Sequence, residues 1–492
     1  MRHRSNAACR LAPALIALAG LAGCSTMPRE RPAPPPLPEA WTEAVTDPAQ
    51  AELVGWWEGF NDPLLDQLIA EGLTRSPSVR QAVLRVKEAR GQGWQTVSGY
   101  LPEFSATGRG QYTRALRGPG LYGSTIAGFD PNAPPTPEQE QAIGSYGASV
   151  SWEIPLFSRV EAAAIGAKAN TRAALADVRG ARAALAADVA EAYVALRAAQ
   201  NRRAALREGA DIARALAEIV RVSADAGFAS EADAADALRQ AETTKAALSD
   251  VEIAARQAAN QLAVLRAHAP GTEEAAVAEK LAASAPVPTI ALSAAPAAPA
   301  DLVRLRPDVA VAEAQAIVAA AAVGAARTDL LPHLSLTGTL LASENVLGAA
   351  LPGPTTQAQL QPAISIPLLD WGKRFAAIRA SKSRFQQALI GYESAVIQGV
   401  SEASLALTQL SEGQRRLEAA RRAEAAAART AEGFRASYSA GIASLADRLR
   451  SDQQLLDARL TRIQAETAAA SAAIGVYRAF GGGPPDIADK SS

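Results

Sequence analysis

Apolar and polar residues repeat along this chain with two different periods, and the period switches twice. Phe104, Ala106, Gly108, Gly110 and Tyr112 fall on every second position, with Ser105, Thr107, Arg109 and Gln111 between them. Tyr146, Ala148, Val150, Trp152 and Ile154 alternate in the same way with Gly147, Ser149, Ser151 and Glu153, and Leu334, Leu336, Gly338 and Leu340 alternate with Ser335, Thr337 and Thr339. A fourth, shorter stretch has Ile364 and Ile366 flanking Ser365. Period two predicts strands. Residues 158–224 and 371–438 behave differently: both are proline-free and dominated by alanine. Each continues for about 65 residues, which is roughly 100 Å of helix. A heptad seam fits the first run through Leu175, Val178, Arg182, Leu185, Val189, Ala192, Leu196, Ala199, Arg203, Leu206, Ala210, Ala213, Ala217, Val220 and Ala224, with only the two arginines breaking it. The pattern predicts antiparallel helical hairpins, 158–224 returning through 231–266 and 371–438 returning through 445–480.

These elements are written twice. Ser76-Pro77-Ser78-Val79, Tyr100-Leu101-Pro102 and Trp152-Glu153-Ile154-Pro155-Leu156-Phe157 are answered by Arg306-Pro307-Asp308-Val309, Leu330-Leu331-Pro332 and Ile364-Ser365-Ile366-Pro367-Leu368-Leu369. Pro307 and Pro332 follow Pro77 and Pro102 by 230 residues, whereas Pro367 follows Pro155 by 212 and Gly441 follows Gly227 by 214. The 18-residue change lies between Pro102 and Pro155, in a Gly/Pro-rich loop. Helices kept in register around one variable loop indicate an internal duplication.

Strands of about ten residues with alternating faces suit a membrane barrel, one face in lipid and the other in a wet lumen. Ser105, Thr107 and Thr337 are then expected to face water, and Phe104, Leu334 and Leu336 lipid. Four strands cannot close by themselves, because an open edge does not persist in hydrocarbon and about eight strands is the smallest common barrel. Three chains would supply twelve, so a cyclic homotrimer is the expected assembly, with the helical hairpins continuing the barrel as a tube.

The N-terminus reads as an export signal: basic Arg2, His3 and Arg4, then a short apolar stretch from Leu11 to Leu21. It ends in Leu21-Ala22-Gly23-Cys24, which resembles the bacterial lipobox, so Cys24 is expected to be acylated. Ser25 follows, then a Pro-rich stretch (Pro28, Pro32, Pro34, Pro35, Pro36, Pro38) expected to be extended rather than packed. With Cys9 lost in the signal and Cys24 lipidated, no thiol remains for a disulfide, metal site or nucleophile. Only His268 and His333 remain as histidines, and no nucleophile elbow, phosphate loop or zinc-protease motif is present. The formal net charge of −1 argues against a nucleic-acid partner. These features predict neither an enzyme nor a cofactor.

The residues that remain carry a resemblance. Trp56-Trp57-Glu58-Gly59-Phe60-Asn61-Asp62-Pro63-Leu64-Leu65, Val150-Ser151-Trp152-Glu153-Ile154, the stretch from Leu302 to Glu313 containing Arg306-Pro307-Asp308, Tyr438-Ser439-Ala440-Gly441 and Tyr477-Arg478-Ala479-Phe480-Gly481-Gly482-Gly483 occur in one order over nearly the whole mature chain. In this order they resemble the TolC-like outer membrane efflux proteins, specifically the NodT-type lipoprotein branch that serves resistance–nodulation–division pumps. The resemblance implies a mixed α and β membrane protein: a trimeric 12-stranded outer-membrane β-barrel, four strands per chain, continued by a periplasmic α-helical coiled-coil barrel. It implies a duct docked to a periplasmic adaptor and an inner-membrane pump, lipid-anchored in the outer membrane and exporting small toxic compounds or drugs. Metal-ion efflux and type I protein secretion are the alternatives within that reading, and a trimeric coiled-coil surface adhesin is a distant one, since adhesins place their strands at one chain end. The expected organisation is signal 1–23, anchored Pro-rich segment 24–55, first repeat 56–268, equatorial linker 269–300, second repeat 301–480 and C-terminal residues 481–492. One departure concerns Pro155-Leu156-Phe157-Ser158-Arg159, where relatives often carry Asp-Leu-Phe-Gly-Arg.

At the hairpin tips, Gly227 and Gly441 are expected to make the reversals, a role glycine fills by reaching φ > 0. Asp233 and Asp447 each follow six residues later. The resemblance implies that Asp447 points into a periplasmic aperture, forming an acidic ring with its symmetry mates, and that Asp233 and Tyr438 form a latch. Ala443 and Arg450 stand where the resembled pattern has a latch arginine and a second acidic ring. The bland alternative is that both aspartates are solvated carboxylates at helix N-termini, favoured there by the helix dipole.

Mass spectrometry of the mature protein is expected to find the N-terminus at an acylated Cys24, and Cys24→Ser to block that processing while leaving some assembled protein. An unmodified N-terminus elsewhere would remove the lipobox assignment.

Overall fold

The computed structural model describes residues 32–41, 53–114, 140–272, 274–290, 292, 297–347 and 355–484; Cys24 and the long loop of the first copy lie outside them. A 3₁₀ turn over Trp56–Phe60 leads into α1 (Pro63–Arg75), α2 (Pro77–Ser98), β1 (Glu103–Arg114), β2 (Glu140–Ile154), α3 (Arg159–Asp225) and α4 (Glu231–Leu265). After α5 (Ala275–Ala282) the series repeats as α6 (Pro299–Leu305), α7 (Pro307–Thr328), β3 (His333–Leu347), β4 (Thr355–Ser365), α8 (Lys373–Ser439) and α9 (Leu445–Ala479). The copies agree residue for residue in length: α2 and α7 have 22 residues, α3 and α8 have 67, and α4 and α9 have 35. The predicted hairpins end within two residues of the observed ones.

The described residues form two compact units. One draws on 88–171 and 314–389 and contains the sheet. Its strands run in the order β1-β2-β3-β4, every pair antiparallel, so the two copies meet where β2 pairs with β3. All four strands are longer than their alternation predicts, β3 running on from Leu340 to Leu347. β4 begins at Thr355 and excludes Ile366, because Gln357, Gln359 and Gln361 alternate with Ala358 and Leu360 too weakly to read as amphipathic, and Pro362 argues against a strand. Proline is tolerated here because β4 is an edge. β2 begins at Glu140, where Ala142 and Gly144 give little contrast.

Both strand-to-helix turns use two consecutive left-handed residues. The second copy uses Trp371 and Gly372 (φ 56° and 84°), and the first uses Phe157 and Ser158 (φ 57° and 61°). Ser158 therefore makes the turn that glycine makes in the other copy, and the local departure in sequence leaves the turn intact at the cost of a strained residue.

The second unit draws on 33–87, 172–313 and 390–492. The predicted seam of α3 is buried from Val178 to Ala213 except at Arg182 and Arg203, and Arg203 lies 3.5 Å from Glu252 of α4. On its other side α3 meets α9: Glu208 pairs with Arg459 at 2.8 Å, and Ser471 donates to Glu191 at 2.7 Å. At Gly209 a Cβ would stand 2.2 Å from Leu456 Cδ2, so any larger residue would require the Leu456 side chain to move. α9 in turn holds α8 through Arg435–Asp452 (2.7 Å) and Arg462–Glu424. The side-chain contacts thus run α4-α3-α9-α8, with α4 and α8 outermost. Exposed apolar residues recur on one face of each outer helix, interspersed with polar ones: Leu238, Ile253 and Val264 on α4, and Ile390, Ile397 and Leu405 on α8.

Leu65, Leu68 and Ile69 of α1 are fully buried in the same cluster as Val189, Tyr193 and Leu262, and Trp56 stacks on Tyr477 at 4.9 Å. The segment after α4 is stitched to the bundle by side chains donating to its carbonyls. Gln200 reaches Leu281 O at 2.6 Å, Asn201 reaches Ala285 O at 2.8 Å, and Gln414 reaches Leu292 O at 2.7 Å. Trp41 donates to Ala297 O at 2.8 Å and meets the Phe480 ring edge-on. The Pro-rich stretch is extended and most of its described residues are exposed; Leu37, partly buried, sits against Val309, Tyr392 and Val396.

Ser158→Gly is expected to stabilise the purified protein by about 1 kcal/mol, by relieving a left-handed non-glycine residue, seen as a higher thermal midpoint. No gain would mean the turn carries no strain there.

Candidate functional site

Two arrangements of side chains stand out, one in each unit. In the sheet, antiparallel register puts opposed residues on the same face. Phe104, Val150, Gly338 and Leu360 form one row across all four strands, Trp152, Leu336 and Pro362 another, and Ile154, Leu334 and Ile364 a third. The other face holds Ser105, Ser149, Thr339 and Gln359 in one row and Glu103, Ser151, Thr337 and Gln361 in the next, with Ser105 Oγ and Ser149 Oγ 2.8 Å apart. Phe104, Leu334 and Leu336 therefore share the apolar face, and Ser105, Thr107 and Thr337 the polar one. The sheet adds residues that the sequence reading passed over. Gln357, Gln359 and Gln361 form an amide ladder along β4, and their spacing of two was the available signal.

The hairpin tips are near-copies of one another. Gly227 and Gly441 adopt φ 77° and 72°, and nothing would meet a Cβ at either, so conformation rather than space demands glycine. Phe228 N–H returns to Ser223 O at 2.8 Å, and Ile442 N–H to Ser437 O at 2.9 Å, closing the preceding helix in each copy. Each following helix opens with a reciprocal capping box. Asp233 N–H donates to Ser230 Oγ at 3.1 Å while Ser230 N–H donates to Asp233 Oδ2 at 3.1 Å. Ser444 and Asp447 repeat this at 3.1 and 3.3 Å. The hydroxyl hydrogen bond from the serine, with its backbone N–H second, holds both carboxyls below the usual carboxylate range. Arg450, 3.6 Å from Asp447, adds to the effect.

Each predicted tip residue thus has a definite place, but they are not all brought together. Asp447 is half-buried at the start of α9 as a first-turn acid. Asp233 and Tyr438 share no hydrogen bond among the described residues: Asp233 is engaged by Ser230, and the Arg448 guanidinium lies over the Tyr438 ring at 5.5 Å. The structure also assembles Arg435, Arg448 and buried Asp452 beside the tip, a group that only the i,i+4 spacing of Arg448 and Asp452 could have suggested. The tips present Phe228 and Ile442 almost wholly to solvent.

The family model for the outer membrane efflux protein matches residues 68–268 and 299–482. The chain is 29% identical over 456 residues to nodulation protein T of Rhizobium leguminosarum bv. viciae, covering 92% of this chain and 88% of that protein. It is 27% identical to outer membrane protein OprJ of Pseudomonas aeruginosa, covering 95% of each. The fold is similar to the open state of the Neisseria gonorrhoeae MtrE outer membrane channel, with a TM-score of 0.75, 24% identity and coverage of 94% of this chain and 98% of that one.

Ser230→Ala and Ser444→Ala are each expected to speed amide exchange in the first turn of the following helix about fivefold. Because the folded carboxyl pKa values lie below the unfolded ones, the Asp contribution is complete at pH 5 to 7 and is lost as pH falls below about 4. Exchange that ignores both substitution and acid would show that the boxes do not hold the tips.

Proposed function

We propose that this chain, which belongs to the outer membrane efflux protein family, is the outer membrane duct of a tripartite efflux system. One observation carries the reading. A four-stranded sheet with one apolar and one polar face, and two unpaired edges, is built for lipid outside and water inside, and it closes only with further copies. Three copies make a twelve-stranded barrel, and the helix layer closes by the same operation as the apolar stripe of α4 meets that of α8 in the next copy. The polar rows, Ser, Thr and Gln with few charges, then line the lumen. The duct sits in the outer membrane with Cys24 as lipid anchor, and its hairpin tips meet a periplasmic adaptor serving an inner-membrane pump.

Within this assembly Asp447, its carboxyl ionised well below neutral pH, forms a threefold acidic ring that favours cations at the aperture. Release of Asp233 from its capping box would let it take the Tyr438 hydroxyl as a latch between the two tips. The proposed cargo is small toxic compounds or drugs.

Planar-bilayer recording tests the duct. The parent is expected to form channels, Asp447→Ala to lose cation selectivity, and Tyr438→Phe to raise resting conductance. If both variants conduct like the parent the aperture assignment fails, and if the parent forms no channel the duct itself is wrong. A water-soluble thiol reagent is expected to label cysteine at Thr337 and Ser105 but not at Leu336 and Phe104; equal labelling would overturn the lumen assignment.

A further inference from the structure

The first strand-to-helix junction gathers four ionisable side chains in a group that the second does not repeat. Glu153 stands one residue before the end of β2, and the left-handed pair Phe157 and Ser158 turns the chain so that Arg159, the first residue of α3, comes back over it. Arg159 Nη1 donates to Glu153 Oε1 at 2.8 Å and to His333 Nδ1 at 2.9 Å, and its Nη2 donates to Asp329 Oδ1 at 3.1 Å. His333 Nδ1 is also 3.1 Å from Glu153 Oε1. At the corresponding places of the second junction stand Ser365 and Lys373 for Glu153 and Arg159, with Gly99 and Glu103 for Asp329 and His333. The acids are the outward members: the side chains of Glu153 and Asp329 are 49% and 47% exposed, those of Arg159 and His333 23% and 24%. Glu153 and His333 share the polar face of the sheet, since Ile154 and Leu334 beside them oppose one another on the apolar face. β2 and β3 are the inner strands, so neither residue stands on an edge that a second copy would close.

We infer that Glu153, Arg159 and His333 are ion-selectivity residues of the duct, with His333 setting their charge according to pH. This rests on the lumen placement of the polar face proposed above. One nitrogen carries the argument. Nδ1 lies within reach of a guanidinium, which only donates, and of a carboxylate, which only accepts, and it can serve one of them at a time. Neutral His333 accepts from Arg159, which places its proton on Nε2. Protonated His333 donates from Nδ1, and Glu153 is the acceptor in reach; Arg159 then gives up the ring and keeps Asp329. The other residues of the recess around the ring, Ile154, Leu156, Phe157, Thr328 and Pro332, are uncharged, as is Ser365 opposite on β4. Two carboxylates against one guanidinium leave the group with one negative charge while His333 is neutral and none once it is protonated, and a threefold ring triples the change. Rings of carboxylates select cations, and histidine is the side chain whose ordinary range lets its charge change between about pH 5 and 8. Cation preference therefore weakens as pH falls. The acidic ring proposed at Asp447 does not produce that change, because its carboxyl is held below the usual carboxylate range and stays ionised throughout.

The test uses the full chain. Reversal potentials of the reconstituted channel are read in a potassium chloride gradient at about pH 8 and about pH 5.5. The parent is expected to be cation-selective at the higher pH, with its reversal potential moving toward zero at the lower. His333→Gln should hold the high-pH value at both, and Glu153→Gln should give a weaker cation preference than the parent at the higher pH. A second measurement needs no conduction. Only His268 and His333 follow the export signal, so labelling the histidine rings with nitrogen-15 gives two sets of resonances, assigned with His333→Gln. In the parent, His333 Nδ1 is expected to be unprotonated at the higher pH and protonated at the lower; Arg159→Met should move the proton to Nδ1 already at the higher pH. A protonated Nδ1 in the parent at the higher pH, or a potential that moves as much in His333→Gln as in the parent, overturns the inference and leaves the duct standing. A parent that forms no channel overturns both.

Discussion

The outer rows of backbone N–H and C=O groups on β1 and β4 are the constraint from which the rest of the molecule follows. Inside the sheet every strand satisfies its neighbour, from Glu103 opposite Ser151 to His333 opposite Ser365. On the outward sides these rows have no partner among the described residues. In water such an edge invites aggregation, and in hydrocarbon each unsatisfied group costs several kcal/mol. A single chain cannot remove this cost at any strand length, and another copy can. In the helical layer α4 and α8 likewise carry exposed apolar residues that no described residue covers.

Much of this was legible because two periods, 2 and 3.5, mark strand and helix independently. Although Ala186, Ala190, Tyr193 and Val194 are buried off it, the seam of α3 was readable from Val178 to Ala213, since a long helix has many turns over which a pattern can accumulate. β4 was not. Its polar face is glutamine and its apolar face alanine, leucine and a proline, so hydrophobic contrast vanishes although the hydrogen-bond ladder does not. The tips were half legible. Glycines announced the reversals, and Ser230-x-x-Asp233 and Ser444-x-x-Asp447 have capping-box spacing. The pairing of Tyr438 with Asp233 came from the resemblance alone, because a contact across two hairpins leaves no local signature, and the Arg448 guanidinium over the Tyr438 ring was equally illegible.

The duplication also shows what each copy is free to change. Both retain an aromatic and then a second left-handed residue at the strand-to-helix turn, even where that residue is serine. Around this shared backbone the first copy spends its arginine on Glu153 and Asp329, while the second spends Arg374 on Asp370 within the turn itself. Backbone geometry is held where chain direction must reverse, and side-chain chemistry diverges where each copy meets different surroundings.

The matched helix lengths bear on how such a chain can evolve. One residue inserted into α3 would turn every later side chain by about 100°, carrying Leu206 and Ala210 off the seam and Gly209 away from Leu456. The returning helix would also end out of step with its start. Seven residues added to an ascending helix and seven to its return restore nearly the original facing, and the other copy must follow if the two tips are to stay level. The helices can therefore lengthen only in quanta, whereas the strand-joining loops can drift one residue at a time. The 18-residue difference between the copies falls entirely on the loop side of that divide.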